Sequence, residues 1–127
     1  MKTGRAILAF VAGASFALSV PGAAQAADLV AGKRAYIQCV ACHSLVEGQA
    51  KVGPDLFKIF GAKAATRGKF AYSAALKDSK IVWTEATMDA WLKRPTALVP
   101  GTKMVFVGVP NDQRRADLVA YLVQATR

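Results

Sequence analysis

Apolar positions in this chain recur at helical rather than strand spacing, and the helical stretches are short. Asp28 precedes Leu29, Gly32, Tyr36 and Ile37, so a capped helix with one inner face is expected from Asp28 through about Val40. From Ser44 to Gly53 the residues are small, polar and without period, which predicts loop. Asp55 to Phe60 reads as a short helical turn closed by Gly61, and Ala62 to Lys69 as a basic loop. Short helices are expected at Ser73–Asp78 and Glu85–Lys93, the second capped by Thr84 and stopped before Pro95. The last helix is the clearest. Asn111 or Asp112 caps it, and Leu118, Tyr121 and Leu122 recur along one face. The expected fold class is all-α, with about five helices joined by long loops and no repeats.

One apolar run has a different character. Lys2 and Arg5 precede an uncharged stretch from Ala6 to Val20, Pro21-Gly22 breaks it, and Ala24-Gln25-Ala26 offers a small-x-small cleavage site. Residues 1–26 therefore read as a secretory signal peptide, and residues 27–127 as a single domain delivered to the periplasm. The stretch is short for a spanning helix, and the alternative is an uncleaved N-terminal anchor with the domain facing the periplasm.

Charge narrows the class of partner. Residues 27–127 hold 15 Lys and Arg against 8 Asp and Glu, a formal +7. A surface so basic suits an acidic protein face or anionic lipid, and export argues against nucleic acid.

Chemistry concentrates in Cys39-Val40-Ala41-Cys42-His43. C-x-x-C-H is a covalent haem-attachment pattern: two thiols three positions apart can add to the two vinyl groups on one porphyrin edge, and the histidine is then placed to coordinate the iron. Three alternatives are weaker. Structural zinc needs four nitrogen or sulfur ligands, and the chain has two cysteines and one histidine. A redox dithiol of thioredoxin type needs a βαβ context, and no alternating run precedes the motif. A plain disulfide leaves His43 a coincidence. A haem would also fill the thin core that so loop-rich a domain can build, so the chain without it is expected to fold poorly.

The sixth iron position has few candidates. There is no second histidine; Met1 lies in the signal, and Met88 falls inside a helical pattern that suits a core residue. Met104 remains, in Pro100-Gly101-Thr102-Lys103-Met104, where proline and glycine can turn a loop toward the iron. The plainer alternative is a methionine filling core space. Histidine with methionine raises the potential and leaves no open site for oxygen or peroxide.

The order and spacing of further pieces resemble the class I cytochromes c of mitochondrial and bacterial cytochrome c2 type. These pieces are the attachment motif, Gly53-Pro54-Asp55-Leu56, Trp83, Pro95, Pro100 to Met104, and Arg115-Ala116-Asp117-Leu118-Val119-Ala120-Tyr121-Leu122. The resemblance spans essentially all of residues 28–127. It implies the class I cytochrome c fold, with one covalently attached haem c carried by Cys39 and Cys42 and held axially by His43 and Met104. It further implies that the Pro54 carbonyl accepts the His43 Nδ1–H, that Tyr72 and Trp83 donate to a haem propionate, and that Thr102 helps hold the inner propionate. Gly32 should let the first and last helices cross closely, with Tyr36 packed against Leu118 and Tyr121.

Three positions depart from that pattern. Ala62 follows Gly61 where relatives often carry a propionate-neutralising arginine, which Lys63 or Arg67 could replace. Leu76 stands where a buried asparagine is common, and Trp91 where a tyrosine usually bonds near the methionine sulfur. A shifted potential and an altered network around Met104 are expected from Trp91. The implied function is diffusible one-electron transfer by a monomeric carrier, not an enzyme. Its expected partners are acidic docking faces of membrane redox complexes: a bc1-type reductase, a terminal oxidase, a photosynthetic reaction centre, or a periplasmic dehydrogenase. Lys51 and Lys103 would flank the exposed haem edge, and transient contact with a membrane surface is compatible with the charge. Two other classes stay open: a haem enzyme or gas sensor in which Met104 dissociates, and a thiol–disulfide oxidoreductase.

Overall fold

The computed structural model describes residues 25–127, so the 1–26 signal segment lies outside the described residues except at its last two positions. The described residues form five α-helices: α1 Leu29–Tyr36, α2 Ala74–Asp78, α3 Glu85–Lys93, α4 Pro95–Leu98 and α5 Asp112–Ala125. Among the described residues there is no strand, only an isolated antiparallel bridge between Lys63 and Val82, and no helix long and apolar enough to cross a membrane.

Caps set the helix ends. The Asp28 carboxylate accepts from the backbone N–H of Val30 and Ala31 at 2.8 and 3.0 Å, starting α1, which tightens into a 3-10 turn over Ile37–Cys39. Ser73 caps α2, Thr84 and Thr87 cap α3 reciprocally, and Asn111 rather than Asp112 caps α5.

Two expectations need correction. Asp55 to Phe60 is not helical: Lys58 takes a left-handed φ of +48°, and its N–H goes to the Thr126 carbonyl at 2.5 Å. In addition, Pro95 ends one helix and also starts another. The residue before a proline is pushed to extended backbone, and Arg94 accordingly has φ −165° and ψ 94°. Proline itself is suited to a first helical position, where its missing N–H costs nothing, so α4 follows at once.

α1 and α5 cross so closely that backbone meets backbone. A Cβ on Gly32 would run into the Asp117 carbonyl oxygen and lie 2.7 Å from the Tyr121 Cβ. Tyr36 packs on Tyr121 with ring centroids 5.6 Å apart, and Leu118 is wholly buried in the same cluster. Since the obstruction is a carbonyl rather than a flexible side-chain end, the helices must separate to admit a methyl. Gly32→Ala is expected to destabilise the folded chain by about 1–3 kcal/mol, the usual cost of overpacking, read as a lowered thermal midpoint of the holoprotein.

Arg115 joins α5 to α3. It is buried and donates to Asp89 at 2.7 Å, to Asp112 at 2.8 Å and to the Val109 carbonyl at 2.9 Å. The hydrogen bond to Asp89 is the main reason its already high pKa is raised further. With these ties the helices form a shell, and the loops between them close over a cavity.

Candidate functional site

The attachment motif occupies the turn that ends α1. The Cys39 carbonyl accepts from the N–H of Cys42 at 3.1 Å and of His43 at 2.9 Å, which winds the motif into a tight turn. Both sulfurs are free thiols, half-buried in the wall of one cavity of about 350 Å³.

The following loop is laid over His43. The N–H of Gly53 donates to the Cys42 carbonyl at 2.8 Å, and the N–H of Leu56 to that of Ser44, also at 2.8 Å. Pro54 is thereby held with its carbonyl 2.7 Å from His43 Nδ1. A carbonyl can only accept, so Nδ1 carries the hydrogen and Nε2 is the ring nitrogen left to act as a ligand. Gly53 has a role that its place in the Gly53–Leu56 segment did not reveal. A Cβ there would stand 2.5 Å from His43 Cε1 and 2.9 Å from Nδ1, so a side chain would push the ring away.

The eight residues expected to hold the haem all line this cavity: Cys39, Cys42, His43, Pro54, Tyr72, Trp83, Thr102 and Met104. The loop from Val99 to Val109 brings Met104. Its N–H donates to Thr102 Oγ1 at 3.3 Å, and the Val109 N–H anchors the loop's end to the Leu92 carbonyl at 2.7 Å. Met88 is buried in α3 and also lines the cavity. Trp83 and Trp91 are buried and meet edge to face at 5.4 Å, both in the wall, with Leu76 beside them. Tyr72 differs from the expected picture in one respect: its hydroxyl donates to the Arg67 carbonyl at 2.9 Å, so its single hydrogen is already engaged. Arg67 lines the cavity too, whereas neither Ala62 nor Lys63 does.

The weaker chemistries find little support in this geometry. Burial, and secondarily the neighbouring Cys42, pushes the Cys39 thiol up to about 11, the opposite of what a reactive dithiol needs. Among the described residues no three His, Cys, Asp or Glu side chains gather to hold a bare metal ion. The arrangement fits haem c instead. It offers two thiols on one edge, an imidazole with an available nitrogen, a mostly apolar cavity, and a buried Arg67 Nε without a partner.

Comparison with known proteins agrees. The cytochrome c family model matches residues 29–126. Cytochrome c2 of Rhodomicrobium vannielii is 47% identical over 98 residues, covering 76% of this chain and 78% of that protein. Cytochrome c2 of Blastochloris viridis is 45% identical over 116 residues, covering 91% and 87%. Among solved structures, cytochrome cH from Methylobacterium extorquens superposes with a TM-score of 0.72 at 41% identity, covering 76% of this chain and 98% of that one. The chain therefore belongs to the cytochrome c family, as an all-α class I domain that carries covalently bound haem c and transfers electrons.

Proposed function

We propose that this protein is a mobile periplasmic carrier in which Cys39 and Cys42 would form the two haem thioethers and His43 and Met104 would both ligate the iron. Bound haem c supplies one-electron exchange between Fe(II) and Fe(III). The observation that carries the reading is the 2.7 Å hydrogen bond from His43 Nδ1 to the Pro54 carbonyl. It orients the ring and leaves Nε2 as the ligating atom. Met104 is favoured over Met88 because it sits on a loop able to present its sulfur, whereas Met88 belongs to a helix packed in the core. Trp83 and Tyr72 serve a propionate as donors, Tyr72 by exchanging its bond to the Arg67 carbonyl, and Thr102 supports the inner propionate.

Docking follows from the cavity mouth. Lys103, Val52 and Val105 line the cavity and are exposed, and exposed Lys51 precedes Val52. An apolar centre with lysines around it suits brief contact with acidic faces of membrane complexes, whether a bc1-type reductase, a terminal oxidase or a reaction centre. Export by residues 1–26 would place the carrier in the periplasm, where those complexes present their soluble faces.

Two measurements test this function. Redox titration of the holoprotein should follow a single reversible one-electron step. Bimolecular transfer to an acidic partner complex should slow steeply as ionic strength rises from about 10 to 200 mM, because the steering charges are screened over about 10 Å at 0.1 M. A rate indifferent to salt would remove the electrostatic docking.

A further inference from the structure

Among the described residues, one buried side-chain polar atom has no hydrogen-bond partner, and it belongs to Arg67. The guanidinium is only partly occupied by its neighbour. Its terminal nitrogen lies 3.8 Å from Asp55 Oδ1, beyond a good hydrogen bond, and the Nε–H is left with nothing to donate to. A buried donor held idle is costly, so the surroundings must either force it or supply an acceptor.

The loop is built to hold Arg67 where it is. Ala65 and Gly68 adopt left-handed φ values of +61° and +54° on either side of it. The Thr66 hydroxyl donates to the Lys63 carbonyl at 2.7 Å, and the Ala64 N–H to that of Ile81 at 2.7 Å. A left-handed alanine is unfavourable alone and persists only where such contacts impose it. The result is a side chain that is 23% exposed, in the wall of the haem cavity and backed by a nearly buried Asp55. Lys63, the other candidate for the missing charge, is exposed, sits in the bridge to Val82 and does not reach the wall.

Haem carries two carboxylates, and a carboxylate removed from water requires a paired cation or several donors. We propose that Arg67 is the propionate-binding cation of this protein, its guanidinium shared between a haem propionate on the cavity side and Asp55 behind it, in place of an arginine at position 62. This rests on the reading that haem occupies the cavity. The other titratable groups lining that cavity are Tyr72, Lys103, His43 and the two thiols. Lys103 is turned to the surface, with Nζ 3.3 Å from the Ala71 carbonyl, so Arg67 is the charge available to the buried carboxylate.

A cation in contact keeps a carboxyl ionised well below neutral pH. In the native holoprotein the midpoint potential should therefore be flat from pH 5 to 8. In Arg67→Gln the acid constant of the redox-linked carboxyl should weaken at least about tenfold, so that the midpoint acquires a slope within that range. Arg67→Lys should restore most of the flat profile, and Lys63→Gln should match the native protein. Redox-difference infrared spectra with haem ¹³C-labelled at its carboxyls should show the labelled group taking up the proton. An unchanged profile in Arg67→Gln, even with a lowered melting temperature, would reduce Arg67 to a structural partner of Asp55 and overturn the proposal. An unlabelled carboxyl band would assign the proton to Asp55, with the same result. If the native chain takes up no haem, the reading of the cavity falls as well.

Discussion

Replacing Met104 with leucine is expected to convert a closed electron carrier into a ligand-binding haem protein. Leucine keeps the bulk of the side chain but offers no lone pair, so the iron loses its sixth ligand while the Val99–Val109 loop keeps its anchors at Thr102 and Val109. Three readouts should move together. The long-wavelength charge-transfer band of methionine-ligated ferric haem should vanish, and the ferrous protein should bind carbon monoxide. The midpoint should fall by roughly 0.2 V, a quarter of the about 0.8 V range that axial ligands span. Met88→Leu is the matched control. It swaps one apolar side chain for another in the α3 core, should cost less than about 1.5 kcal/mol, and should leave the charge-transfer band in place.

Much of this site was legible because it is local in the chain. Cys39, Cys42 and His43 fall within one turn, and the caps at Asp28, Ser73, Thr84 and Asn111 announce their helices by side-chain chemistry alone. Most of what escaped depends on contacts between distant residues. Lys58 cannot continue a helix because the Thr126 carbonyl, near the other end of the chain, takes its N–H. Pro95 reads as a stop, and its capacity to begin α4 depends on Arg94 being extended. Arg67 was one of two candidates for the missing charge. Choosing it over Lys63 required the loop that Ala65 turns against its own preference, and alanine gives no local sign of that turn. Gly53 stood in a recognisable segment, but its need for a bare backbone appears only with the His43 ring against it.

The second large effect concerns the chain without its cofactor. Left unfilled, a sealed cavity of about 350 Å³ would cost about 8 kcal/mol at about 24 cal/mol per Å³, an upper bound for a cavity whose mouth at Val52, Lys103 and Val105 opens to water. That is comparable with the whole stability of an ordinary domain, about 5–15 kcal/mol. Most of the wall comes from the loops between α1 and α3 and between α4 and α5, which have little regular structure to sustain them. The chain produced where haem is not attached should therefore show weak far-ultraviolet circular dichroism and no cooperative thermal transition. The α1–α5 contact around Gly32 is the element best placed to persist. A sharp melt near that of the holoprotein would mean that the protein core alone supports the fold.

The most direct test of the central claim is exposure of the native ferrous holoprotein to carbon monoxide at neutral pH. With His43 and Met104 both bound to the iron, the absorption spectrum should stay that of a low-spin c-type haem, unchanged by the gas. Rapid, stoichiometric formation of a carbonmonoxy complex in the unmodified protein would contradict it and make Met104 a displaceable ligand rather than a lock.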